Sequence, residues 1–178
     1  SLRIRKVYQV RFLKGLNRPV FEDMLVKNIR RRIKIFGNFE FKKSQSTITV
    51  APLDDFADLD AATDEISRVF GIAGYSRAAV CEKDMDNICE IAPIYLHDQL
   101  SSAKTFKVEA KRSDKKFPLN SPEICRETGG YLLRKFPHLV VDVHNPDMVV
   151  TVEIRDTKAY IHGKQIKGAG GMPTGSAG

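Results

Sequence analysis

Apolar residues recur along this chain in short blocks, each with a period that selects one element. Val7–Phe12 reads as a strand, and the turn Lys14–Pro19 leads into a helix from about Pro19 to Phe36, with Pro19 at the first helical position. Phe21, Leu25, Ile29, Ile33 and Phe36 repeat at helical spacing and define its buried stripe. Phe39–Lys42 and Thr47–Val50 alternate as two strands around a polar turn, Lys43–Ser46. A helix follows from about Asp60 to Phe70, then a fourth strand, Tyr75–Cys81. A second series begins with a helix from Met85 to Ser101 that Pro93 should kink or divide. It continues with the strand Thr105–Ala110 and a helix from Ser121 to Phe136, capped by Ser121, with Pro122 first and Glu123 at the positive end of the dipole. Gly129 and Gly130 inside that helix cost ~1 kcal/mol each relative to alanine, so the pair is expected to mark close packing against another backbone. Val140–Val143, Val149–Ile154 and Ala159–His162 complete the strands.

The order of the first series, β-α-β-β-α-β, is the ferredoxin-like pattern. The expected architecture is therefore α+β: a ferredoxin-like domain over 1–83, a second domain over 84–165, and a Gly-rich linker over 166–178. The last segment has no Lys-Ser/Thr after its glycines, so it is not a P-loop.

Charge changes this picture more than composition does. The chain has 178 residues, 42% hydrophobic and 29% charged, which is ordinary for a globular protein with a core. No apolar run approaches the ~20 residues of a membrane helix, and three widely spaced cysteines suggest reduced thiols in a cytoplasmic protein. The net charge of +7 is unevenly spread: residues 1–43 carry +10, 44–103 carry −8 and 104–135 carry +5. Two basic blocks around an acidic one suit a polyanionic partner that reaches across two parts of the fold.

Within those blocks the candidate chemistry is concentrated in two places. Lys111, Arg112, Lys115 and Lys116 crowd the connection between the Phe106 strand and the helix at Ser121, beside the aromatic ring of Phe117. Cations, N–H groups at a helix N-terminus and a ring are what a phosphate chain with an unstacked base requires. Lys27, Arg30, Arg31 and Lys34 line one face of the first helix, at spacing that would otherwise describe a solvated face. Four scattered histidines, a Cys125 on the apolar side of its helix and an acidic cluster from Asp54 to Asp64 assemble no catalytic or metal constellation.

Three segments carry a family resemblance: Leu13–Glu22 (Leu-Lys-Gly-Leu-Asn-Arg-Pro-Val-Phe-Glu), Phe106–Pro118 with Ser121-Pro122, and Ile166–Gly175 (Ile-Lys-Gly-Ala-Gly-Gly-Met-Pro-Thr-Gly). The chain resembles the N-terminal half of the tRNA 4-thiouridine synthetases, or tRNA sulfurtransferases, and the middle segment resembles the THUMP domain, an RNA-binding module. The resemblance implies a ferredoxin-like domain followed by a THUMP domain that hold the tRNA acceptor stem and its 3′ CCA end. It implies ATP and Mg for a following pyrophosphatase-type domain with an S-G-G-x-D-S loop, which this sequence does not contain, so no catalytic residue is assigned. A sulfur-donor protein, thiamine biosynthesis in some members, a cytoplasmic location and a possible homodimer belong to the same implication. Lys111, Arg112, Lys115 and Lys116 would take the acceptor-end backbone, with Phe117 stacking on or walling the terminal bases. Lys14, Asn17, Arg18 and the Lys27/Arg30/Arg31/Lys34 face would hold the duplex. The alternatives are the RNA-binding region of another tRNA-modifying enzyme, such as a methyltransferase, or a ferredoxin-like ligand or protein interaction module.

Overall fold

The computed structural model describes residues 4–12, 18–44, 47–69, 72–163 and 166–170, which fall into two compact units. The first comprises Lys6–Arg77 with the last described strand, and the second Ala78–Lys164 with Ile4 and Arg5. The change of unit falls inside a strand at Arg77/Ala78, ahead of the boundary expected near Lys83.

In the first unit β1 (Lys6–Phe12) leads to α1 (Arg18–Ile33) and a 3-10 turn, Lys34–Phe36. Then come β2 (Phe39–Ser44), β3 (Thr47–Pro52), α2 (Leu59–Ile66) and β4 (Ile72–Cys81). The strand order is β2-β3-β1-β4. Antiparallel register sets Tyr8 against Val50 and Val10 against Ile48, and all four are buried. Leu25, Ile29 and Ile33 of α1 pack into that core, with Phe21 and Phe36 half-buried at its margin. The helical stripe is thus real, but its last turn tightens to 3-10. Gly37 then takes φ +140°, where a side chain is strained, and a Cβ there would lie 2.7 Å from Ala57 Cα. Helix α2 ends at Ile66, and the Ser67 hydroxyl just beyond it donates to Asp64 C=O at 2.6 Å, while the expected end at Phe70 lies outside the described residues.

The second unit holds the end of β4, α3 (Met85–Tyr95), α4 (His97–Ser102), β5 (Thr105–Arg112), α5 (Ser121–Lys135), β6 (Val140–Val141), β7 (Met148–Ile154) and β8 (Ala159–His162). Its strand order is β4-β8-β7-β5-β6, with β5 parallel to both neighbours and β7–β8 antiparallel. One face of the sheet supplies Phe106, Val150, Val152 and Ile154 to a core completed by Ile88, Leu100, Ile124 and Leu132 from the helices.

Four local expectations change. The helix pair divides at Leu96 (φ −101°, ψ 17°), with Pro93 inside α3. The cap of α5 is Asn120: its side chain accepts from Glu123 N–H at 2.9 Å while Glu123 accepts from Asn120 N–H at 2.9 Å, a capping box that sequence alone had shifted to Ser121. Strand β6 stops at Val141, because the Asp142 carboxylate turns back to accept His144 and Asn145 N–H at 3.0 and 3.1 Å. Finally, Ile166–Gly170, expected as linker, forms β9 and pairs antiparallel with β4, Tyr75 opposite Ile166. The rest of that segment lies outside the described residues.

Candidate nucleic-acid interface

The loop between β5 and α5 is built by bonds within the second unit. Ser113 donates its N–H and hydroxyl to Ile154 C=O at 2.9 and 3.1 Å, tying the end of β5 to β7. The Asp114 carboxylate binds the Lys83 ammonium, which also donates to Asp156 C=O at 2.7 Å, and accepts Lys116 N–H at 3.0 Å. Those bonds, the Lys83 one first, hold the Asp114 carboxyl below the usual range. Arg112 Nη1 donates to Lys115 C=O at 3.3 Å and Phe117 C=O at 3.1 Å, closing the turn from inside.

This arrangement separates the residues that sequence had grouped. Lys111, Lys115 and Lys116 are exposed and form no salt bridge among the described residues. Arg112 is half-buried and spends its guanidinium on loop carbonyls. Phe117 is 7% exposed and belongs to the hydrophobic core, so it offers no face on which a base could stack. The loop reverses at Asp114, whose C=O accepts Phe117 N–H at 3.3 Å, and that reversal carries the ring inward. The N-terminus of α5 is also less open than expected. Pro122 has no N–H and the capping box takes Glu123 N–H, leaving Ser121 N–H as the first-turn donor outside the box.

On the first unit, Lys27, Arg30 and Arg31 of α1 and Lys34 of the 3-10 turn are all exposed. The Arg30 guanidinium lies 4.9 Å from the centroid of Phe41, and Arg31 reaches Asn28 Oδ1 at 3.4 Å. Neighbouring Arg32 is drawn aside to Glu65 at 3.5 Å and Lys43 to Asp23 at 2.8 Å. Arg18 opens α1, one residue before the expected start, and Lys14 and Asn17 lie outside the described residues.

Sequence reasoning passed over a third basic cluster on α5. Arg134 Cζ and Lys135 Nζ each lie 5.6 Å from the centroid of the Tyr131 ring. The i, i+3 and i, i+4 spacing of these residues was the available signal. Lys83, the anchor of the basic loop, carried none, since its partner Asp114 is remote in the chain.

The remaining candidates for chemistry are occupied structurally. Burial pushes the Cys81 thiol up to about 12, and burial first also raises Cys89 and Cys125. Asp58 caps α2 through Ala61 N–H at 3.0 Å, Asp60 meets Arg77 at 3.0 Å and Asp54 accepts from Asn38. Among the described residues no group of three or more His, Cys, Asp or Glu side chains could hold a metal, and no helix is long and apolar enough to cross a membrane. The face of the second unit's sheet opposite its core carries a buried ionic cluster. Glu153 accepts from Arg155 at 2.5 Å and lies 2.8 Å from His162 Nε2, with Lys111 opposite Glu153 on β5.

The fold is α+β, in two units that each carry exposed cations. Residues 82–162 match the THUMP domain and residues 11–76 match the ThiI ferredoxin-like domain, so the chain belongs with the N-terminal ferredoxin-like and THUMP region of the tRNA sulfurtransferases. It is 44% identical to the probable tRNA sulfurtransferase of Acetivibrio thermocellus, over 98% of this chain and 46% of that protein. The corresponding protein of Lachnoclostridium phytofermentans is also 44% identical, over 93% of this chain and 42% of its own length. The chain therefore spans somewhat under half the length of these relatives. Among solved structures it is similar to a 4-thiouridine synthetase in complex with RNA and bound ATP (32% identity, TM-score 0.79, covering 98% of this chain and 45% of that one). It is also similar to a Pyrococcus horikoshii protein (31% identity, TM-score 0.81, covering 96% and 58%). A likeness to TrmN from Thermus thermophilus, at 19% identity and TM-score 0.61 over 90% of this chain and 45% of that one, shows the fold alone.

Proposed function

We propose that this chain is the tRNA-holding region of a tRNA sulfurtransferase. The observation that carries the reading is the trio of exposed, unpaired lysines, Lys111, Lys115 and Lys116, on a loop locked from within by Arg112 and by the Lys83–Asp114 pair. A locked loop loses little conformational freedom on binding, and lysines without partners have no ion pair to break before meeting a phosphate. The lysine loop takes the backbone of the single-stranded CCA end, through charge rather than through Phe117. The Lys27/Arg30/Arg31/Lys34 face takes the duplex of the acceptor stem, where phosphate contacts fix orientation without reading sequence. In a longer protein built like the relatives, the tRNA so held would meet an ATP- and Mg-dependent domain and a sulfur-donor protein that together make 4-thiouridine.

The test is a tRNA titration of this chain at several salt concentrations, with intact tRNA and with tRNA lacking its terminal CCA. The reading expects a steep fall of affinity with salt. It also expects CCA removal to weaken the wild type but hardly a Lys115→Ala/Lys116→Ala variant, since both changes delete the same contact. A flat salt response overturns the reading. Additive losses from trimming and mutation overturn the assignment of the loop to the acceptor end.

A further inference from the structure

Gly129 and Gly130 sit in the interior of α5, where glycine weakens a helix, yet nothing packed against them demands glycine. A Cβ on Gly129 would meet Val108 Cγ2 at 3.7 Å, and one on Gly130 would meet Arg134 Nη1 at 3.7 Å, both ordinary contacts. The close backbone approach expected from sequence is absent. In its place lies an open groove of about 500 Å³, walled by Val108, Cys125, Leu133, Val141 and Val143, with the two glycines along one side. Val141 and Val143 remain 50% and 58% exposed, so the groove leaves large apolar side chains in water.

The strand edge beside the groove is equally incomplete. The last bond between β6 and β5 runs from Asp142 N–H to Phe106 C=O at 3.0 Å, after which β6 has ended. Backbone groups alternate sides along a strand, so Val108 N–H and C=O face the same way as those of Phe106, and no described strand meets them. Two charged residues line the groove: Lys107, paired with Glu109 at 3.1 Å, and Arg126, exposed and without an ion pair among the described residues.

We propose that this groove receives an extended apolar peptide segment bearing a carboxylate, laid along the β5 edge in line with β6. Its backbone would bond to Val108 N–H and C=O, its apolar side chains would fill the space above Gly129 and Gly130, and its carboxylate would meet Arg126. The observations favour peptide over RNA. The walls are mostly apolar, with no set of side-chain donors and acceptors to read a base edge, and one unpaired arginine beside a lysine already paired with Glu109 is a poor match to a phosphate chain. This inference is independent of the tRNA reading, which rests on the lysine loop and the α1 face.

The test is an NMR titration of the 15N-labelled chain with Ac-Val-Ile-Val-Glu-Val-NH2, alongside its lysine counterpart, its N-methylated form and the single-stranded RNA tetranucleotide ACCA. The acidic peptide should shift the amides of Val108, Gly129, Gly130 and Val141 and saturate. The lysine peptide should bind about fivefold more weakly, and the acidic peptide should bind Arg126→Ala about two- to fivefold more weakly. N-methylation should abolish the shifts. Gly129→Leu should fill the groove and lose the peptide. Gly129→Ala should melt no lower than wild type, which confirms that the position accepts a side chain. Equal binding of acidic and lysine peptides, undiminished binding to a folded Gly129→Leu protein, or the same amide shifts with ACCA instead of peptide would each overturn the proposal.

Discussion

The basic face of α1 and the basic loop after β5 carry comparable charge but are built in opposite ways. On α1 the helical period that buries Leu25, Ile29 and Ile33 also points Lys27, Arg30 and Arg31 outward, so burial of one stripe guarantees exposure of the other. In the loop no period operates. Of five residues grouped there by chemistry, Lys111, Lys115 and Lys116 stay in water, while Arg112 and Phe117 hold the loop together from inside. A cation on a helix face can be assigned to solvent from spacing alone. A cation in a loop can be assigned only after its hydrogen bonds have been counted.

The largest effect that could break this contrast lies at Phe117. As a core residue it should cost about 3–5 kcal/mol when replaced by alanine, measured by denaturant unfolding, whereas Lys115→Ala should stay within about 0.5 kcal/mol. Near-neutral stability of Phe117→Ala would return the ring to the surface and erase the difference between the two regions.

Acid should then distinguish the units. Burial works to raise the Glu153 carboxyl, but the His162 hydrogen bond and charge, with Arg155, prevail and bring it down to about 2 from an ordinary 4.5. A depressed carboxyl contributes stability that is fully present above the unfolded value and is lost as pH falls through the folded one. The second unit should therefore lose stability between about pH 4.5 and 2. A Glu153→Gln protein, less stable at neutral pH, should show a flatter acid profile by circular dichroism, while amides of the first unit should not report the change.

A smaller effect, on the order of 1 kcal/mol, should follow from Asn120→Ala through loss of the capping box, against a few tenths from Ser121→Ala. A thermal melt that ranks the two substitutions the other way would move the helix start, and with it the end of the loop.

The finest comparison concerns binding alone. Alanine at Lys111, Lys115 and Lys116 should lower the salt slope of tRNA binding by about 0.7 for each single-strand phosphate that is no longer neutralised. The same substitutions at Lys27, Arg30, Arg31 and Lys34 should lower it similarly without regard to the CCA end. Stability should be unchanged in both sets apart from Arg30, whose ring contact with Phe41 can add about 0.5–1 kcal/mol.

Element order, the apolar stripe of α1, the alternating strands and the two cationic blocks were all legible in the amino-acid sequence. Each depends on a period or a local composition, which neighbouring residues express without help from the rest of the chain. Which loop cations are free was settled only by packing, because Lys83 and Asp114 meet across a long sequence interval and Ile154 anchors Ser113 from another strand. Packing also turned Phe117 inward and paired β9 with β4 where composition had promised only a linker. The same holds for Gly129 and Gly130, which border open space rather than another backbone. Glycine tells a reader that a side chain is missing, and only packing tells what lies where it would have been.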